Sequence, residues 1–248
     1  LLFPCPITSP KTPPPFAPLA LSAAPDGTTS AEFLKVGTGA RAQAMGETQT
    51  ALADDVFAIR WNPAGLGSLR SGEIALEHNK LFEGIDRQLL AGAVPTRTGV
   101  WGLAYNRLNV DAYPGYDSDG TYTKDLNSGG EEIDLAWGKN FRSDANGANG
   151  LLGGVGFKMI REETADISKS AFAADLGLIY RPWTGRDWVR RLSFGASIRQ
   201  LGSGIKYDTE SAPLPTILSG GVGYSHFLSG DILTVGWTST KPPGKGRP

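Results

Sequence analysis

The chain has 248 residues, with 33 Gly, 17 Pro and a formal net charge of −1; this fits one large β domain or two small ones and leaves no basic footprint for nucleic acid. Its single cysteine, Cys5, excludes an intrachain disulfide and a Cys-based zinc site, and its two histidines, His78 and His226, lie far apart. No apolar run reaches the roughly 18 residues of a membrane-crossing helix, but barrel strands carry their apolar half in every second residue, so a membrane is not excluded.

Residues 1–30 form a first segment. Eight prolines lie between Pro4 and Pro25, so this stretch reads as an extended or disordered tail. Leu19 to Ala24 resembles the end of an export signal, with Ser22 and Ala24 at the small positions of a cleavage site. Cys5 reads as a stray tail thiol.

Residues 31–67 carry the only helical rhythm. Thr29 or Ser30 is placed to cap a short helix over 31–36, which Gly37 and Gly39 break. Thr50 to Ile59 forms a second helical candidate, with Ala51, Leu52, Val56 and Ile59 near helical spacing. Pro63 forces Asn62 out of the helical region, and Gly65 and Gly67 allow tight turns. Gly37 to Ala42 superficially matches a dinucleotide fingerprint, but it follows no strand and opens no βαβ unit. Asp54 and Asp55 are neighbours that point apart on a helix, which favours capping or solvation over a metal pair.

The same stretch carries a family resemblance. Phe33-Leu34-Lys35-Val36-Gly37, Gly39-Ala40-Arg41-Ala42, Ala44-Met45-Gly46, Ala51 to Asp55 and Trp61-Asn62-Pro63-Ala64-Gly65-Leu66 together resemble the start of the PorV/PorQ family of bacterial outer-membrane proteins, similar in fold to FadL-type barrels. The resemblance implies that residues 31–67 form a plug or hatch inside a barrel. It also implies a place beside the type IX secretion machinery, receiving exported proteins or anchoring them at the cell surface. Glu47 and Arg60 depart from it, being charged where less charged residues are expected, and the chain is shorter than such barrels.

From Gly72 the period changes to two. Nine segments alternate. Trp101, Leu103 and Tyr105 share one face, as do Ile133, Leu135 and Trp137. Val155, Phe157 and Met159 oppose Gly154, Gly156 and Lys158; Phe172, Leu176, Leu178 and Tyr180 oppose Ala173, Asp175 and Gly177. Leu192, Phe194, Ala196 and Ile198 oppose Ser193, Gly195, Ser197 and Arg199, and Leu233, Val235 and Trp237 complete a ninth segment. At about ten residues each, the segments suit tilted membrane strands. Long connections near 108–130, 161–170 and 203–214 follow the third, fifth and seventh strands and so lie on one side, as in outer-membrane barrels.

The expected fold is therefore all-β: an antiparallel transmembrane barrel over residues 68–240, with a short helical N-terminal plug at 31–67 and a disordered end at 241–248. The large apolar face is expected to meet outer-membrane lipid and the small or charged face to line the lumen. There Asp134, Lys158 and Asp175, with Arg199, are placed to form a charge network. Asp117 to Gly120 is half a calcium loop without its distal Glu, and reads as a surface turn. The expected function is non-enzymatic, with no cofactor or metal, in the bacterial outer membrane, with secretion components or exported cargo as partners. The alternatives are a FadL-like channel for hydrophobic molecules and a soluble antiparallel sandwich. Because an open sheet edge cannot face hydrocarbon, nine strands suggest either a smaller closed barrel or a fragment of a longer chain.

Overall fold

The computed structural model describes residues 29–82, 84–143, 149–165, 167–207, 210–228 and 231–241. The proline-rich tail, the export-signal match, Cys5 and most of the C-terminal tail lie outside them.

The N-terminal segment is mostly turns. A 3-10 turn spans Glu32–Lys35, α1 spans Ala40–Ala44, α2 spans Ala58–Trp61, and a second 3-10 turn covers Pro63–Ser68. Neither expected helix forms as read. Ser30 caps nothing; its Oγ donates to the Ala212 carbonyl at 3.0 Å, and Ala31 stands at the helix entry with φ of 52°. The helix expected over 50–59 is reduced to α2. Its early carbonyls are bonded elsewhere: Thr50 by Asn62 Nδ2 at 2.6 Å, Ala51 by Ser193 Oγ at 2.5 Å and Ala53 by Arg181 Nη2 at 3.4 Å. Distant side chains thus take the acceptors that a helix would have used.

The remainder is strand. β1 (Glu73–Phe82), β2 (Ile85–Thr96), β3 (Gly99–Tyr116), β4 (Tyr122–Ser143), β5 (Gly150–Thr164), β6 (Ile167–Arg181) and β7 (Leu192–Gly202) follow in order. A small hairpin of β8 (Ile205–Tyr207) and β9 (Glu210–Ala212) precedes β10 (Ile217–Leu228) and β11 (Asp231–Lys241). Nine strands form one antiparallel sheet in the order β1-β2-β3-β4-β5-β6-β7-β10-β11. Every neighbouring pair is antiparallel, so β1 and β11, the first and ninth strands, run in the same direction. Among the described residues they do not pair with each other, and the barrel is not closed.

The expected long connections are largely strand. β3 and β4, at 18 and 22 residues, continue as a hairpin to a turn in which Asp117 Oδ1 accepts from Asp119 N at 3.0 Å and Thr121 N at 2.8 Å. The ladder continues there although the apolar period stops. A two-residue period is visible only where one face is buried, whereas backbone pairing needs only a neighbouring strand.

The sheet is sided as its alternation requires. Leu135, Leu176 and Phe194 are 46%, 48% and 41% exposed, whereas Asp134, Asp175 and Ser197 are 2%, 0% and 2% exposed. Large apolar residues therefore face outward, and small or charged ones face the N-terminal segment. The core is the seam between that segment and the inner wall. Ile59, Leu66, Leu152 and Ile179 are buried there, each contributing about 1.5–3 kcal/mol.

Candidate functional site: the plug and the inner wall

The inner wall contains a seat for the plug. Gly138, Gly154 and Gly177 are cross-strand partners on β4, β5 and β6. The Asn62-Pro63-Ala64 turn lies directly on them, so that a Cβ at Gly154 would collide with the Pro63 and Ala64 backbone. Asn62 fixes the turn from within. Its Oδ1 accepts from Ala64 N at 3.2 Å, and its Nδ2 donates to Thr50 O and to Leu178 O. Gly65 packs on Ala53, where a Cβ would stand 2.5 Å from the Ala53 carbonyl. Trp61 donates Nε1 to Thr38 O at 3.0 Å.

Other plug residues meet other strands. Phe33 covers Gly130 and joins a second apolar cluster with Leu34, Ile160, Ala171, Ile205 and Leu214. Arg87 on β2 donates to Val36 O at 3.0 Å and Gly37 O at 2.6 Å, and pairs with Glu77 at 2.5 Å. Glu77 also accepts from Gly39 N at 2.8 Å, where φ is 82°. Gly37 and Gly39, which only superficially match a dinucleotide fingerprint, are thus wall contacts.

Arg41, Asp54 and Asp55 lie apart from the interior. Arg41 pairs with Asp54 and lies 3.8 Å from Asp55 on the plug's open side. The hydrogen bond that Arg41 donates to Asp54 holds its guanidinium above the usual range. Burial pushes the Asp55 carboxyl up, the Asp54 charge adds to this, and Arg41 opposes it. Met45, half-buried, and Gly46, at φ of 62°, make the turn after α1.

Deeper in, five ionisable side chains meet. Glu132 and Asp134 stand one pleat apart on β4, Lys158 lies opposite Asp134 on β5, and Asp175, on β6, lies opposite Gly156 of β5. Lys158 Nζ lies 3.0 Å from Glu132, 3.2 Å from Asp175 and 3.7 Å from Asp134. Arg60, from α2, pairs with Glu132 and lies 3.5 Å from Asp134. Asp175 Oδ1 also accepts from Gln200 N at 2.7 Å, and Gln200 has φ of 59° where the β6–β7 register shifts. The carboxylate thereby holds a bulge in place.

Asp134, Lys158 and Asp175 come together as the alternation anticipates. Arg199 does not join their ion pairs. It donates Nη1 to Arg60 O at 3.2 Å and lies over the Trp61 ring at 5.1 Å. Sequence reasoning missed two members. Glu132 was legible, sharing a face with Asp134 two residues on. Arg60 stands in the sequence only as a charge out of place; it is the plug's cation for the wall's carboxylates. Such a cluster adds little net stability, but removing one member leaves a buried charge uncompensated. It therefore acts as a register lock between plug and wall.

A protein-family model described as "Uncharacterised protein family (UPF0164)" matches residues 22–212. No curated protein matches the chain. The family match corrects the resemblance to PorV/PorQ, and the role in type IX secretion that this resemblance implied loses its basis. The motifs that suggested it have a local cause. Small residues and an Asn-Pro-Ala turn let the segment lie against a glycine-lined wall.

Proposed function

The chain belongs to UPF0164, and we propose that it is a non-enzymatic protein of the bacterial outer membrane, forming a β-barrel wall whose interior is filled by its own N-terminal segment. The observation that carries this reading is the band on the outer face. Leu151 to Met159 on β5 spans eight residue steps, about 26 Å along the strand at roughly 3.3 Å per residue. At the 35–45° tilt of membrane strands this is about 20 Å in height, close to the ~25 Å apolar band of such barrels. Phe141 and Tyr180 stand toward the Leu151 margin of the band and Tyr105 toward the Met159 margin, where an aromatic girdle belongs, while Trp101 and Trp137 lie level with Val155 within it. No helix of the described residues is long and apolar enough to cross a membrane, so crossing falls to the strands.

The partners that follow are outer-membrane lipid on the band and other proteins at the long hairpins. The β3–β4 hairpin carries exposed Tyr113, Tyr116 and Tyr122, residues that supply contact area at little entropic cost. Hydrocarbon also requires partners for the open edges of β1 and β11, because each unpaired peptide group there costs several kcal/mol. As those strands run in the same direction, only an odd number of strands set between them keeps every pair antiparallel.

Topology labelling tests the proposal. In a Cys5→Ser background, Asp119→Cys at the hairpin tip should react with a membrane-impermeant maleimide on intact cells. Thr98→Cys, at the opposite end of the sheet, should react only after the outer membrane is opened. Recovery of the protein in a soluble fraction, or equal labelling at both positions, overturns it.

A further inference from the structure

Across six strands the outer face changes from apolar to polar within one pleat. Leu76, Leu90, Tyr105, Ile133, Met159 and Phe172 are successive cross-strand partners from β1 to β6. Two residues further along each strand the partners are His78, Gln88, Arg107, Glu131, Arg161 and Ser170. The two rows are about 7 Å apart. A change from apolar to polar within one pleat is where acyl chains give way to headgroups, on the reading proposed above, on which this inference rests.

A notch of about 290 Å³ opens immediately beyond that line, over Gly129 and Gly130, lined by Arg107, Glu131, Arg161 and Glu163. Its charges are mixed and arranged. Arg107 Nε lies 3.8 Å from Glu131, whose Oε1 also accepts from Tyr105 Oη at 3.1 Å. Arg161 donates Nε to Ser168 Oγ at 2.7 Å, which holds one side of its planar head. Two guanidinium groups and two carboxylates within one notch repel a ligand of single sign as much as they attract it. They match a ligand that carries both signs a few ångströms apart.

We propose that this notch binds the zwitterionic headgroup of a phosphoethanolamine lipid. The phosphate lies against Arg161 and Arg107, where a guanidinium can bond two oxygens at once. The ammonium lies toward Glu131 and Glu163. The acyl chains then run down over Tyr105, Ile133 and Met159, so the headgroup recognised is that of a membrane lipid and not of a free phosphoester. This would make the protein selective for one lipid class on the side of its long hairpins.

The test is lipid retention by native mass spectrometry. The purified protein, in neutral sugar-headgroup micelles, is offered equal amounts of phosphatidylethanolamine and phosphatidylglycerol with identical acyl chains. Phosphatidylethanolamine should be retained in preference. Arg161→Gln with Glu163→Gln should cut that retention roughly tenfold, the scale of losing charge-assisted hydrogen bonds. Phosphatidylglycerol retention should hardly change. Arg97→Gln, in the turn at the other end of the sheet, should leave both unaltered and controls for folding. Equal retention of the two lipids by a protein that requires detergent overturns the inference alone, as does a double variant that binds like the parent. A protein that remains soluble without detergent and retains neither lipid overturns the membrane reading with it.

Discussion

Lys158→Met is the sharpest perturbation available inside the molecule. Lys158 is 1% exposed, and its Nζ stands 3.0–3.7 Å from three carboxylates, with Arg60 the other cation, paired with two of them. Methionine preserves volume and removes the charge, so packing changes little. What remains is buried negative charge with half its compensation gone, which costs about 3–5 kcal/mol. At roughly 2–4 °C of Tm per kcal/mol for a chain of this size, melting should fall by about 6–20 °C. The assay is loss of strand circular dichroism on heating in detergent micelles. Adding Asp134→Asn should recover part of the loss. The Asp134 oxygens form no hydrogen bond, and Oδ2 lies 3.5 Å from Arg60 and 3.7 Å from Lys158, so an ionised Asp134 becomes a liability once Lys158 is neutral. A coupling of about 1–3 kcal/mol is expected between the two substitutions. If Lys158→Met lies within about 1 kcal/mol of the parent, or the two effects simply add, the cluster is not the lock described above.

Three further outcomes follow from the same architecture. Leu135→Arg, on the outward face within the apolar band, should cost about 2–4 kcal/mol in a bilayer and lower insertion yield; unchanged yield would oppose the membrane proposal. Gly154→Leu should unseat the plug, because its Cβ meets the Pro63–Ala64 backbone; limited trypsin digestion should then cut at Arg60, buried in the parent. Folding raises the Asp55 carboxyl above its ordinary range, so the folded chain holds more protons than the unfolded one as pH rises from about 4 through the raised value. This contribution to stability therefore falls as pH rises through that window. In Asp55→Asn the fall of Tm with pH above about 4 should be shallower than in the parent, and an unchanged slope would place its origin elsewhere.

The two-residue period of β3 to β7 is a property of each strand alone. It was legible because a residue's side on a strand is set by its parity, so Leu135 outward and Asp134 inward required no knowledge of neighbours. The plug was legible only as a stretch of small residues and turns. Its internal structure was not, because Thr50, Ala51 and Ala53 give their carbonyls to Asn62, Ser193 and Arg181 and not to the next helical turn. Arg60 illustrates the same limit. It lies 72 residues from Glu132 in sequence, and no local pattern contains a partner at that range.

By itself, then, the sequence determined the strands, their two faces and the need for something to fill the hollow, since all three follow from spacing along the backbone. Only the tertiary structure decided which carboxylates share a cation, where the plug is seated, and where the polar row begins. Those depend on cross-strand register and on contacts between distant segments, and a buried charge or a glycine seat acquires its meaning only from what is brought against it.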